Sequence, residues 1–129
     1  MLRQPFRKAP VTETDVTFQP PESFRCETGR DGDVLWVRPI GELDLDTAPQ
    51  LNEELTAART SGADRIVLDM RALTFMDSTG LRLVIRWDTA SRADSFQFAI
   101  VPGPEVVQRV FRLTGMEEHL PVAEPPAEG

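Results

Sequence analysis

The hydrophobic positions of this chain change period along its length, and the changes mark out the elements. In SFRCETG, Phe24 and Cys26 fall on one face at period two; the turn cluster GRDGD follows, and VLWVRPI then supplies a second apolar run, so the two segments predict a β-hairpin. From GELDLDTAPQLNEELTAARTSG the spacing of Leu51, Leu55 and Ala58 predicts a helix. Thr47 with Gln50 three residues later is a capping-box signal, Pro49 suits the first turn, and Gly62 is a stop. RIVLDM is a short apolar run between polar flanks and predicts a buried strand. FMDSTGL opens the next helix, whose Leu81, Leu83, Val84, Ile85 and Trp87 spread over more than one side.

SFQFAIV alternates Phe96, Phe98 and Ile100 as a strand. Gly103 and Pro104 then lead into a third helix carrying Val106, Val107, Val110 and Phe111, Gly115 ends it, and LPVA predicts a short closing strand. Alternating strands and helices of this kind predict an α/β fold: a small single domain whose mixed sheet of four to five strands has helices packed against it. Strands joined by helical crossovers run parallel, so the loops after VLWVRPI and RIVLDM are expected at one edge of the sheet, bringing Asp44 close to Ser78.

At 129 residues the chain is expected to form one domain. The prolines at 5, 10, 20 and 21 and the absence of periodicity predict a flexible arm over residues 1–21, the folded domain over 22–122, and a flexible tail over 123–129. The first 22 residues lack the apolar stretch of a secretory signal and no segment approaches the roughly 20 apolar residues that span a bilayer, so a cytoplasmic protein without stable membrane association is expected. The formal net charge of -7 argues against nucleic acid and for a protein partner. Acidic residues gather at Glu42, Asp44, Asp46, Glu53 and Glu54, and basic ones at Arg82, Arg86 and Arg92; such blocks are also what solvated faces look like. Cys26 has no second cysteine to pair with and reads as a small core residue on a strand.

The chemistry converges on FMDSTGL. A nucleophilic serine needs a base within reach and a group to orient that base, whereas the one histidine is His119 near the end of the chain, the one lysine is Lys8, and no G-x-S-x-G elbow surrounds Ser78. Hydrolase chemistry is therefore not expected. Asp44, Asp69 and Asp77 have no metal-specific spacing, and no glycine-rich phosphate loop is present, so no metal and no cofactor is expected. Two readings of Ser78 remain open: it, or Asp77, caps the helix through a backbone hydrogen bond, or the helix start with its free N–H groups favours a phosphate on the Ser78 hydroxyl. These are compatible with one another.

GELD at 41–44, followed by TAPQL, RIVLDM, FMDSTGL and the RLTGM turn at 112–116, resembles the STAS-domain family of bacterial anti-sigma factor antagonists over roughly residues 22–122. The resemblance implies a non-enzymatic domain that binds an anti-sigma factor serine kinase. In its unphosphorylated form such a domain captures the kinase and frees a sigma factor; phosphorylation on the serine matching Ser78 weakens the complex, and a serine phosphatase reverses the mark. It implies a partner surface of Asp44, Asp77, Ser78, Thr79, Gly80, Leu81 and Arg82, with Thr79 as an alternative acceptor. Arg82 stands where the family often has a small residue, and from one turn along the helix it could reach back over Ser78. Leu83 and Trp87 read either as deep packing or as part of the partner surface. A STAS-type structural subunit of a stress-signalling assembly or membrane transporter, with Ser78 only a cap, and a small-molecule or lipid-binding module of the same fold are the alternatives.

Overall fold

The structure is a computed structural model that describes residues 24–127; the arm expected over residues 1–21 lies outside them. Its elements are β1 (Arg25–Asp31), β2 (Val34–Leu43), α1 (Ala48–Thr60), β3 (Arg65–Asp69), β4 (Leu73–Met76), α2 (Ser78–Asp94), β5 (Gln97–Val101) and α3 (Glu105–Leu113), followed by a 3-10 turn at Glu117–His119. The five strands form one mixed sheet in the order β1-β2-β3-β5, with β4 lying beside β2.

The hairpin forms as the pattern requires. Asp31 faces Val34 across a two-residue loop, and Gly32 takes the positive φ of 65° that such tight loops favour. β3 sits between β2 and β5, parallel to both, with Ile66, Val67, Leu68 and Asp69 buried. A strand covered on both faces needs an unbroken apolar run, which is what RIVLDM supplies. At the far end of α1, Gly62 has φ 93° and stops the helix as expected.

Two expectations about strands change. LTFM, read as the approach to a helix, is the separate strand β4, and LPVA contributes no strand but a single parallel bridge from Val122 to Ile100. β4 has four residues with the pattern buried, exposed, exposed, buried, so it lacks the alternation by which a half-buried strand is recognised. Its place comes from β2. The first half of β2 pairs with β3 through Val34 to Val37, and its last residues, Gly41 to Leu43, pair with β4. The change of partner occurs at a register shift between Gly41 and Glu42, where Gly41 adopts φ 113°. A side chain there would be strained, so glycine permits the strand to serve both neighbours.

The main core lies between one face of the sheet and the helices. Val37, Leu51, Leu55, Ile66, Leu68, Leu73, Val84, Val107 and Phe111 are among its members at 1% exposure or less. Leu83 belongs to this core, while Trp87 is half-buried against it and donates from Nε1 to Asn52 Oδ1 at 2.8 Å, with an edge-on contact to Phe96 at 6.2 Å. Cys26 is half-buried on β1 against the same core, as its position suggested, and burial together with the nearby Glu54 pushes its thiol up to about 11. The opposite face carries a smaller cluster of Trp36, Val67 and Val101.

The segment expected as a free tail is anchored along part of its length. Ile100 donates to the Pro121 carbonyl at 2.9 Å, Ala123 donates back to the Ile100 carbonyl at 2.8 Å, and Ala127 N donates to Asp31 Oδ2 at 2.9 Å. Proline-rich composition signals the lack of a regular helix, not the lack of a docking site.

Asp69, fully buried at the end of β3, is engaged as an ion-pair centre. Arg38 Nε donates to it at 3.0 Å, and Arg71 reaches it through Nη2 at 2.8 Å, Nε at 3.0 Å and its backbone N–H at 3.1 Å. Burial by itself pushes the Asp69 carboxyl up; the hydrogen bonds from Arg71 and Arg38 outweigh it and hold the group below the ordinary carboxylate range. A carboxyl depressed in the folded state contributes stability that is present above its unfolded pKa of about 3.9 and is lost as pH falls through the folded value. Urea melts should therefore show Asp69→Ala less stable by on the order of 2–4 kcal/mol at pH 7, with the gap from wild type closing on acidification below about pH 4.

Candidate functional site

The site is assembled where β2 and β4 end together. Leu43 and Met76 are register partners, and the chain then leaves each strand through an aspartate, Asp44 and Asp77, so the two loops emerge side by side; the Asp77 amide donates to the Leu43 carbonyl at 3.2 Å. Asp44 and the start of α2 are brought together, as expected. The strand responsible is β4 and not β3, since β3 stops at Asp69.

The open question of which residue caps α2 has a definite answer. Asp77 is the N-cap in extended conformation, and its Oδ1 accepts from Thr79 N at 2.8 Å and Gly80 N at 3.3 Å. Ser78 is the first helical residue and is exposed. Among the described residues no side chain hydrogen-bonds its hydroxyl. The aspartate thus relieves the serine of any capping duty.

Asp44 does equivalent work on the other loop. Its Oδ1 accepts from Asp46 N at 3.0 Å, Thr47 N at 3.2 Å and Thr47 Oγ1 at 3.2 Å, and its backbone carbonyl accepts from Ala48 N at 2.8 Å. The capping box expected from Thr47 and Gln50 is absent. Thr47 is the N-cap of α1, but its hydroxyl turns back to donate to the Glu42 carbonyl at 2.7 Å and to accept from Asp44 N at 2.9 Å. Asp44 takes the Thr47 N–H that the Gln50 side chain would have accepted from, and Gln50 N donates to the Thr47 carbonyl at 3.0 Å.

Of the other residues expected here, Gly80 and Leu81 are buried, Thr79 is half-buried, and Arg82 is exposed one turn further along α2. A Cβ on Gly80 would approach Met76 Cγ to 2.7 Å and Leu43 Cγ to 2.9 Å, so glycine lets the first turn of α2 settle on the ends of β2 and β4. Gly80 and Leu81 hold the surface from beneath. The sequence reading passed over Leu45, which is 71% exposed beside Asp44, and Phe75, 40% exposed before the motif. The signal for Leu45 was an apolar residue between two aspartates at a helix entry. Leu45, Pro49, Thr79 and Arg86 line a groove of about 300 Å³ between α1 and α2 that starts at this site.

His119 lies exposed in the 3-10 turn after α3, with no hydrogen bond to Ser78, and Lys8 lies outside the described residues. Among the described residues no group of three or more His, Cys, Asp or Glu could hold a metal ion, and no helix is long and apolar enough to cross a membrane.

A five-stranded mixed sheet backed by helices, presenting an exposed hydroxyl at the start of a helix capped by its preceding aspartate, defines a small α/β domain. Residues 26–128 match the STAS domain family. The chain belongs to this family, in its group of anti-sigma factor antagonists. It is 33% identical over 102 residues to an anti-sigma-B factor antagonist of Staphylococcus aureus, covering 79% of this chain and 94% of that one. Among solved structures it resembles the anti-sigma factor antagonist SpoIIAA in its unphosphorylated form, at 25% identity and TM-score 0.62, covering 79% of this chain and 89% of that one. The fold likewise matches the phosphorylated form of SpoIIAA, the Bacillus cell fate determinant, at 24% identity and TM-score 0.58, over 79% and 92% of the two chains.

Removing the cap separates fold from site. Asp77→Ala should lower stability by about 1 kcal/mol in a denaturant melt, the usual cost of losing an aspartate cap. Gly80→Ala should cost about 1–3 kcal/mol by the same measurement, because the new methyl group enters space held by Met76 and Leu43.

Proposed function

We propose that this chain is a non-enzymatic, cytoplasmic anti-sigma factor antagonist controlled by phosphorylation of Ser78. In its unphosphorylated form it binds an anti-sigma factor serine kinase and so releases a sigma factor; phosphate on Ser78 ends the complex and a serine phosphatase restores it. Neither nucleic acid nor membrane takes part in this reading. The observation that carries it is the exposed Ser78 hydroxyl, free of capping, at the first turn of a helix whose cap is Asp77. The existence of phosphorylated and unphosphorylated SpoIIAA among the similar structures supports it.

Magnitudes decide where the phosphate acts. A phosphoserine adds about -1.5 to -2 charge at pH 7. Within the chain it meets an unfavourable neighbour in Asp77 and a favourable helix N-terminus, each worth about 1 kcal/mol or less at an exposed position. The two nearly offset, so the fold survives. Buried under a docked partner, the same dianion loses its hydration at a cost of several kcal/mol, and each 1.4 kcal/mol is about tenfold in affinity. The switch works on the interface.

The partner surface in this reading comprises Asp44, Asp77, Ser78, Thr79 and Arg82, shaped from below by Gly80 and Leu81, with Leu45 as its apolar contact. Arg82, at i+4 from Ser78, is placed on the helical face that a phosphate would share.

Incubation with ATP, Mg²⁺ and the candidate kinases of the same cell, followed by mass spectrometry, should place stoichiometric phosphate on Ser78 and not on Thr79. Titration calorimetry against the labelling kinase should show Ser78→Ala binding like wild type and Ser78→Asp at least about tenfold weaker. An Asp variant that binds as tightly as wild type rules out charge at this position as the switch. Arg82→Ala should change the affinity of the phosphorylated form more than that of the unphosphorylated form; equal changes would leave Arg82 without a phosphate-specific part.

A further inference from the structure

The groove between α1 and α2 does not end beside Leu45. A second hollow of about 280 Å³, walled by Trp87 and Ala90, follows the first along α2, and Asn52 and Arg86 line both. From Thr79 to Ala90 the two hollows run along three turns of α2, about 16 Å. Leu83 and Ala48 are buried and Trp87 and Ala90 half-buried, and no carboxylate lines either hollow.

The two residues shared by the hollows hold donors that lack acceptors. Trp87 Nε1 donates to Asn52 Oδ1 at 2.8 Å, which identifies the amide oxygen and leaves the NH₂ group, and among the described residues nothing accepts from that group. Arg86 is exposed and, among the described residues, has neither a hydrogen bond nor an ion pair. Its neighbours three and four residues away on α2 are Arg82, Leu83, Thr89 and Ala90, none of them negative. A guanidinium and an amide NH₂ within one apolar groove suit a group that only accepts, a carboxylate. The hollows to either side suit apolar side chains.

A helix supplies three such groups in a row. Its residues i and i+7 lie on one face about 10.5 Å apart, within the length of the groove, and i+4 falls between them. We propose, resting on the Ser78 reading, that the groove between α1 and α2 receives a helix of the anti-sigma factor kinase that presents an apolar side chain to each hollow and, between them, a carboxylate bound by Arg86 and Asn52. Leu45 and Thr79 join the groove to the Ser78 surface, so the contact continues the same interface. The groove selects which kinase docks, and the charge at Ser78 decides whether it stays.

The test uses the full chain and the kinase that labels Ser78. Arg86→Glu should weaken the complex at least about tenfold in titration calorimetry. Asn52→Asp, which keeps an acceptor for Trp87 and removes the free donors, should weaken it in smaller measure. Replacing the matching carboxylate of the kinase helix by lysine should restore affinity for Arg86→Glu. In the wild-type chain, which needs no variant to fold, the Trp87 indole N–H signal should move when the kinase is added, while that of Trp36, in the cluster on the opposite face of the sheet, stays in place. The proposal is overturned, with the Ser78 reading intact, if the kinase binds wild type and both variants alike or leaves the Trp87 signal unmoved. A wild-type chain that no kinase labels or binds ends the Ser78 reading and this proposal together. The kinase helix is also ruled out as the occupant if, in the free chain, the Trp87 signal moves with protein concentration, the mark of a second copy in the groove, or shows cross-peaks to residues 1–23, the mark of the chain's own N-terminal segment.

Discussion

The pairing of Leu43 with Met76 is the contact on which the arrangement at the start of α2 depends. Two strands that run parallel and stop at the same level deliver their following loops to one place, and here each loop begins with an aspartate. The pairing requires β2 to leave β3 after Val37 and take up β4 at Gly41, which in turn requires a residue that tolerates φ 113°. A slip of one residue in this short ladder would turn Leu43 and Met76 out of the core and move Asp44 away from Asp77. Gly80 extends the same constraint, because the first turn of α2 rests on those two side chains.

Around that contact the carboxylates divide the work. Asp77 satisfies the helix N–H groups, Asp44 closes the neighbouring loop, and Asp69 at the end of β3 gathers Arg38 and Arg71. Each is held by hydrogen bonds within the fold. Among the described residues the exposed Ser78 hydroxyl carries no structural hydrogen bond at the helix start.

The sheet has two faces with different covers. Helices seal one with a deep apolar core, and an extended strap with anchored ends crosses the other. Packing against three helices leaves little room to rearrange, whereas the strap is held by a few hydrogen bonds at Ile100 and Asp31. The helix face therefore fixes the geometry at Ser78.

The sequence by itself determined the hairpin, the three helices, the central strand RIVLDM and the placement of Ser78 at a helix start, because those features rest on local periodicity and on residues with strong backbone preferences such as Gly32, Gly62 and Pro104. The FMDSTGL motif also marked the residues at the start of α2. Tertiary structure alone decided that LTFM is a strand, since four residues without alternation become one only by pairing with β2 more than thirty residues away. It alone decided that Asp77 caps and Ser78 does not, that Thr47 turns back toward Glu42, and that the proline-rich end crosses the sheet to Asp31. In each of these cases several acceptors or partners were chemically eligible, and the choice among them belongs to the distances the completed fold imposes.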